Sequence, residues 1–567
     1  MPFQVSPGVN VTEVDLTTII PAVSTSIGGF AGRFQWGPAD VVTSVDSSDT
    51  LVSIFGKPSD TNYVSFFSAA NFLDYTNNLK LVRAINSTSL NASTNTSLGI
   101  TIQNDDVFDA ISTENAAHQF ITARYPGTYG NGLEVEVCDS ETAFGVWSSN
   151  TLFDAAPGNS TFGIAKGTAN DELHILVKDS NTGTFTGTAG STLERYPFLS
   201  KASDAKDSEG KSIYFKNVIN RQSQYIRIAD PAGGGGPVTT TDWGVASAAG
   251  KVYGINDAAY ANTLASGTDN TPIKGDYTTA FDLLSDADKV DVSLLITGGH
   301  DNDVVNHVID NIADTRKDAV AFLSPAYEDV GSGTDSAKKD AVITHRDTDI
   351  NRNTSYAFMD SGWKYQYDKY SDKYRWIPTN PDVAGLCART DNQRDAWWSP
   401  AGYNRGQIKN VVKLAFNPSK AFRDDLYRAG VNPIVTFTGE GTVLFGDKTL
   451  LKRPSAFDRI NVRRLFIVLE KAISTAAKFS LFEFNDEFTR AQFRNMVEPF
   501  LRDVKGRRGI HEFKVVCDET NNPGSVIDRN EFVGDIYIKP ARSINFIQLN
   551  FIAVATGVDF SEVVGKF

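Results

Sequence analysis

Apolar positions recur along this chain with two periods. From Val462 they fall at Leu465, Val468, Leu469, Ala472, Ile473 and Ala476, a stripe at helical spacing. Just before it, Val435 and Phe437 alternate with Thr436 and Thr438. Val443-Leu444-Phe445 runs back after Gly439 and Gly441, residues that tolerate the positive φ of a tight reversal. Strand, glycine turn, strand, loop and long helix thus follow one another between residues 430 and 485. The spacing leaves Arg463, Arg464, Glu470, Lys471 and Lys478 able to reach solvent or a partner. Residues 486–504 repeat the helical period, with Phe488, Phe493, Val497, Phe500 and Leu501 as candidate buried positions.

The same reading orders the rest of the chain. Residues 1–24 read as an arm: Val9 and Val11 alternate with Asn10 and Thr12 after the Pro7-Gly8 turn. A short terminal strand needs a sheet to join, either in its own subunit or in a neighbour. Residues 25–90 read as a small α/β unit, with Phe66, Phe67, Ala70 and Leu73 at helical spacing between two strands. Ser, Thr and Asn dominate residues 86–97, a loop signature. Leu133, Val135 and Val137 then alternate, and the stretch to about residue 280 is rich in Gly, Ser, Thr and Asp with short strand-like runs; a β-rich, exposed insertion is predicted. Residues 291–297, 303–316 and 319–325 predict strand, amphipathic helix and strand, a βαβ unit. The aromatic run within residues 355–385 predicts a half-buried strand pair with Tyr365, Tyr367 and Tyr370 partly exposed. Two further strands are predicted over 534–538 and 544–554, the second with Ile547, Leu549, Phe551 and Ala553 on one face.

Composition narrows the class. A chain of 567 residues, 41% hydrophobic and 22% charged, is ordinary for a globular protein of several domains. Its three cysteines are too few and too scattered for a disulfide framework or a zinc site, and a reducing compartment is the simpler reading. No apolar run reaches the roughly 18 residues of a membrane span, and the N-terminus has no basic region followed by an apolar block. Charge is uneven. Residues 388–567 hold 27 Lys and Arg against 21 Asp and Glu, a net of +6; with −14 for the whole chain, residues 1–387 carry −20. The basic part could face an acidic partner. Its cations alternate with acids, which argues against nucleic acid.

Two patterns come close to ligand motifs and miss. Gly441 and Gly446-Asp447-Lys448-Thr449 resemble a phosphate-binding loop, but Asp447 breaks the spacing and puts a negative charge in the cradle. Asp347, Asp349, Asn351 and Asn353 mimic half of a calcium loop, with Arg352 where glycine is needed and Phe358 where glutamate is needed. The six histidines form no HExxH, and GxSxG is absent.

A different set of motifs stands in order. Ala429-Gly430-Val431-Asn432, then Gly439-Glu440-Gly441 with Gly446-Asp447-Lys448-Thr449, then Ile460-Asn461-Val462-Arg463-Arg464, then Phe482-Glu483-Phe484-Asn485 resemble the C-terminal domain of contractile-tail sheath proteins of bacteriophages. Lys448 stands where arginine is more usual. The likeness extends to residues 6–15, to Gly32–Pro38 with Val82-Arg83-Ala84, to residues 123–131, to Asp391, Arg394, Trp397, Pro400, Ala401 and Gly402, and to residues 516–523.

The resemblance implies an α/β (mixed α+β) multidomain fold. Its expected parts are an N-terminal arm (1–24), a small α/β segment of the sheath core (25–90), a β-rich variable outer insertion (91–280), a subtilisin-like α/β middle domain without an active site (281–386), a C-terminal sheath core (387–556) and a C-terminal arm (557–567). It implies a structural protein with no catalytic, cofactor or metal site. The implied role is to polymerise as stacked hexameric rings in a helical sheath around a tail tube and to contract, driving the tube through the host envelope for genome ejection. The implied partners are further copies, the tail tube protein, and the baseplate and tail terminator proteins, without direct nucleic-acid or membrane binding. The implied place is the virion tail, assembled in the host cytoplasm. Strand exchange is expected through Val5, Val9, Val11 and Val14 and through Ile547, Leu549, Phe551 and Ala553, accepted by the sheet around 513–554. Arg502, Lys505, Arg507 and Arg508 suit a helix C-terminus on dipole grounds alone, and are the candidate contacts to an acidic tube. The alternatives are a bacteriocin-type contractile particle and, from another class, an enzyme that kept a subtilisin-like or P-loop fold.

Overall fold

The computed structural model describes residues 24–94, 99–110, 121–228, 242–545 and 548. The chain divides into a large unit, the described part of Pro21–Ala396 with Pro400–Ser474, and a small unit, Trp397–Ser399 with the described part of Thr475–Phe567.

In the large unit, β1 (Gly28–Gly32), β2 (Val42–Val45) and β3 (Leu79–Arg83) start a sheet. The segment that follows contributes β4 (Asn91–Ser93), β5 (Ile121–Pro126), β6 (Leu133–Cys138), β7 (Glu172–Asp179), β8 (Thr192–Ser200), β9 (Ile226–Ile228) and β10 (Tyr260–Thr263). These form an antiparallel sheet in the order β10-β6-β7-β8 and a smaller one, β4-β5-β9, around a core of their own that includes Leu133, Val135, Leu173, Ile175 and Phe215. The chain then returns to the first sheet with β11 (Leu294–Ile296), β12 (Val320–Leu323) and β13 (Ala357–Met359).

The central sheet has the order β13-β12-β11-β1-β3-β2, parallel throughout except for β2 at the edge. Strands β1, β11, β12 and β13 are buried at every position, which is why they read as continuous apolar or small-residue runs. Helix α1 (Tyr63–Leu73) comes so close that a Cβ at Gly28 would run into the Phe72 ring. The crossover between β11 and β12 is the predicted amphipathic helix, Asn302–His307 and Asp314–Arg316, with a π-helical stretch over Val308–Ala313.

The aromatic run forms the predicted pair, β14 (Trp363–Asp368) against β15 (Lys373–Pro378), with the short β16 (Lys413–Leu414) on the other side of β14. Tyr365 and Tyr374 stack across it at 5.4 Å between ring centroids. Helix α2 (Asn380–Gln393) is buried nearly end to end. Its Asp382 accepts from Lys364 Nζ at 2.9 Å and from the Tyr75 hydroxyl at 3.0 Å, so the buried charges meet partners. The hairpin β17 (Ile434–Phe437) and β18 (Gly441–Leu444) turns through Gly439 and Gly441 at φ of 85° and 83°, the use predicted for those glycines. Helix α3 (Ile460–Ala477) follows.

The small unit holds helix α4 (Glu487–Gly506), capped by the Asp486 side chain, and an antiparallel pair, β19 (Ile510–Val516) and β20 (Asp535–Pro540). Its core includes Phe493, Val497, Leu501, Val504, Ile510 and Cys517. Phe488 departs from expectation: it is exposed, because the inward stripe of α4 begins at Arg490 and Phe493. The proposed arm residues Val5, Val9, Val11, Val14, Ile547, Leu549, Phe551 and Ala553 lie outside the described residues.

Candidate assembly site

The ordered motifs meet one another as buried locks. Asn432 donates from Nδ2 to the Met359 and Lys448 carbonyls and accepts the Lys448 N–H at 2.7 Å, tying the Val431-Asn432 turn to the Gly446–Thr449 element. Arg464 donates to the Asp391 carboxylate, which also accepts from Thr25 Oγ1 at 2.6 Å. Arg463 donates to the Tyr356 hydroxyl at 2.8 Å and lies 4.0 Å over the Phe457 ring. Both arginines are buried, which corrects the expectation that they reach solvent or a partner. Helical spacing alone missed this, because the Asp391 carboxylate and the Tyr356 hydroxyl are distant in sequence. In the small unit Asn485 Nδ2 donates to Glu531 O at 2.8 Å, and Asn522 both donates to and accepts from the Val533 backbone.

Arg83 is the densest lock. Its guanidinium, fully buried, donates to the carbonyls of Phe34 at 3.0 Å, Gly37 at 2.7 Å and Pro126 at 2.7 Å, with a longer bond to Gln35. Burial holds its pKa down to about 10, so it remains charged at neutral pH. One side chain thereby joins the Gly32–Pro38 turn, the Val82–Ala84 strand and the Pro126-Gly127 turn.

The near-miss ligand motifs are occupied by the chain itself. Lys448 Nζ donates to Tyr427 O at 2.7 Å and lies 4.2 Å over the Tyr427 ring, and Gly441 belongs to a strand rather than to a loop. Lys452 puts its ammonium 3.3 Å from Asp347 and 3.4 Å from Asn351, while its N–H bonds Asn353. A lysine thus stands among the side chains that would have held a cation. Millimolar calcium is therefore expected to leave the melting temperature unchanged, and a rise in a thermal melt would contradict this occupancy. No group of three metal-ligating side chains occurs among the described residues.

The buried thiols are shifted away from reactivity. Burial pushes the Cys138 thiol up to about 11 and Cys387 to about 12, the reverse of nucleophile activation. His300 is half-buried, its pKa held below the usual value by desolvation, with Nε2 2.7 Å from Ala31 O. A cavity of about 570 Å³ has Phe66, Phe67 and Tyr370 in its wall and no histidine or cysteine in its lining. Asp360, buried and raised to about 7 by burial, accepts from Ser324 Oγ at 2.8 Å and Thr379 Oγ1 at 2.7 Å.

What the small unit does present is edges and surface. Among the described residues β19 and β20 pair only with each other, so each has an outer edge with no strand against it. The four cations proposed for the tube lie at and beyond the C-terminal end of α4. Arg502 pairs with Glu498 at 2.9 Å and Arg507 with Asp503 at 2.6 Å, each one turn back. Arg507 also lies 5.2 Å over Trp397 and Arg508 5.7 Å over Trp398; Lys505 is exposed. The structure therefore brings the four together on one helix end, partly neutralised.

The features the described residues present are those of packing and strand pairing. Residues 273–450 match the family model of the phage tail sheath protein central domain, and residues 452–553 that of the phage tail sheath C-terminal domain. The chain is similar to the tail sheath protein of Vibrio phage KVP40, 34% identical over 99% of both chains, and to that of Enterobacteria phage T4, 35% identical over 99% of both. Its fold is similar to the sheath tail protein of Listeria innocua, with a TM-score of 0.52 at 11% identity over 92% of this chain and 96% of that one. It is also similar to the helical sheath of the anti-feeding prophage in the contracted state, with a TM-score of 0.50 at 13% identity over 97% and 99%. The chain belongs to the phage tail sheath protein family.

Proposed function

We propose that this chain polymerises as stacked hexameric rings around a tail tube, and that the assembled sheath contracts to drive the tube through the host envelope and eject the genome. The observation that carries the reading is the β19–β20 pair, whose outer edges have no strand against them among the described residues. An extended segment of another copy can add there through main-chain hydrogen bonds, which hold while flanking linkers turn. The alternating apolar residues Val5, Val9, Val11 and Val14, and Ile547, Leu549, Phe551 and Ala553, are the proposed exchange strands. Energy stored in assembly interfaces, rather than nucleotide hydrolysis, drives contraction.

The finer parts follow. Residues 1–24 and 557–567 serve as arms, 25–90 and 387–556 as sheath core, 281–386 as a subtilisin-like middle without an active site, and 91–280 as the outer insertion. The tail tube, the baseplate and the tail terminator are the partners, in a virion tail assembled in the host cytoplasm. A bacteriocin-type particle is the weaker reading, since the full-length relatives named above are phage proteins.

Arg502, Lys505, Arg507 and Arg508 are the proposed tube contact. Arg507→Glu with Arg508→Glu puts two negative charges where an acidic tube would meet cations. It is expected to weaken tube-dependent assembly by about ten-fold or more, and less at high salt, because juxtaposed like charges oppose docking. Pelleting of sheath with purified tubes measures this; unchanged pelleting would remove the pair from the contact.

A further inference from the structure

Phe479, Leu481, Phe482, Phe484 and Phe488 all stand in solvent, from 62% exposure for Leu481 to full exposure for Phe482. Together they expose about four whole side chains' worth, or about 600–1,000 Å² at 150–250 Å² for each large side chain. The largest apolar patch on a monomer is typically about 300–600 Å². Each side of a stable protein interface contributes about 800 Å². The summed exposure of these sequence neighbours is comparable to one side of an interface.

Their backbone is also tied by hydrogen bonds. Asp486 caps α4 by accepting the Thr489 N–H at 2.8 Å. Asn485 turns inward to Glu531 O and to Asn522, and its Oδ1 accepts from Arg490 Nη1 at 2.9 Å. Glu483 N–H is bonded to Ser480 O and Leu481 N–H to Lys478 O. Phe482 sits at φ 70°, a left-handed backbone that a bulky residue adopts only under constraint. Rigid aromatic anchors with little ordering left to lose are the usual centre of a binding surface.

We infer that this ridge is a side-chain docking surface buried against a second copy of this chain, separate from the strand edges of β19 and β20. The inference rests on the reading that copies polymerise. The tube is the wrong occupant on two grounds. Helix α4, at 20 residues, is about 30 Å long, with the ridge at its start and the basic quartet at its end. The rim of the ridge is acidic, with Glu483, Asp486 and Glu487 against Lys478; it suits the net-positive residues 388–567 of another copy and would repel the acidic tube that the basic quartet is proposed to meet.

The test uses the full chain with Phe482→Asn and Phe484→Ser. Asparagine tolerates the left-handed backbone, and both side chains lie in solvent, so far-UV dichroism and thermal melting should match wild type. Self-assembly without tubes, read by sedimentation and negative-stain microscopy, should fall at least about ten-fold. Dilute wild-type protomer should also enhance the fluorescence of the apolar dye ANS more than the variant does. Wild-type and variant chains that assemble equally well overturn the inference. So does a variant that self-assembles normally and fails only on tubes, which would give the ridge to the tube. Equal dye binding by both protomers overturns it too, since the ridge would then be covered by its own chain. A wild-type chain that stays monomeric overturns the polymerisation reading along with it.

Discussion

Removal of residues 2–20 leaves a folded protomer that does not build extended sheath. The expectation rests on where the stabilising contacts are. Among the described residues, the core of the large unit is assembled from residues between Ile27 and Ile467, and α4 packs on β19 and β20 through residues from Phe493 onward, so both are expected to form without the arm. An added strand of four to six residues supplies several main-chain hydrogen bonds, each worth about 0.5–1.5 kcal/mol net. In a lattice every copy both gives and accepts such a strand, so the loss is repeated at each contact and assembly falls by at least about a hundred-fold at equal protein concentration. Circular dichroism should be unchanged, and sedimentation should show monomer where wild type forms large particles. Normal tubes from the truncated chain would remove the arm from the mechanism.

Arg83→Met is expected to cost the large unit about 3–5 kcal/mol. Methionine fills a similar volume but leaves the carbonyls of Phe34, Gly37 and Pro126 without their donor, and each orphaned buried carbonyl costs about 1–3 kcal/mol. Part of this is offset because a charge no longer has to be buried, which keeps the net in the range seen when one member of a buried polar cluster is deleted. The melting temperature should fall by about 3–5 °C. Arg83→Lys should recover only part of the loss, since a single ammonium cannot span carbonyls that a planar guanidinium reaches with three nitrogens. A melting temperature within about 1 °C of wild type for Arg83→Met would show that the two turns and the strand hold together without it.

Local pattern was enough for elements whose periods are set by their own neighbours. The Val435–Phe437 hairpin, the aromatic strand pair at 363–378 and the α3 stripe all formed where spacing put them. Long-range consequences were not readable in the same way. Strands near residues 30 and 80 lie in one sheet with strands near 295, 320 and 358, because β1 pairs with β11 across the whole intervening segment. The boundary between the two compact units falls inside continuous helix α3, where no glycine, proline or change of composition marks it.

The candidate site divides along the same line. The four basic residues at the end of α4 could be found from charge and the flanking glycines. Arg463 and Arg464 could not be recognised as internal, since their partners Tyr356 and Asp391 come together with them only in the fold. The exposed ridge was missed because Phe488 fits the helical stripe by spacing while standing one turn ahead of where the buried face begins. The deviation of Phe482 and Phe484 from the rule that large apolar residues turn inward was itself the available signal.

The central claim is that copies of this chain hold together by lending strands to one another's exposed sheet edges. High-resolution electron cryomicroscopy of the assembled sheath tests it most directly. The account predicts a sheet in which β19 and β20 are flanked by strands whose density traces to the ends of neighbouring protomers. Chain ends that fold back onto their own protomer, with no strand crossing between copies, would contradict it.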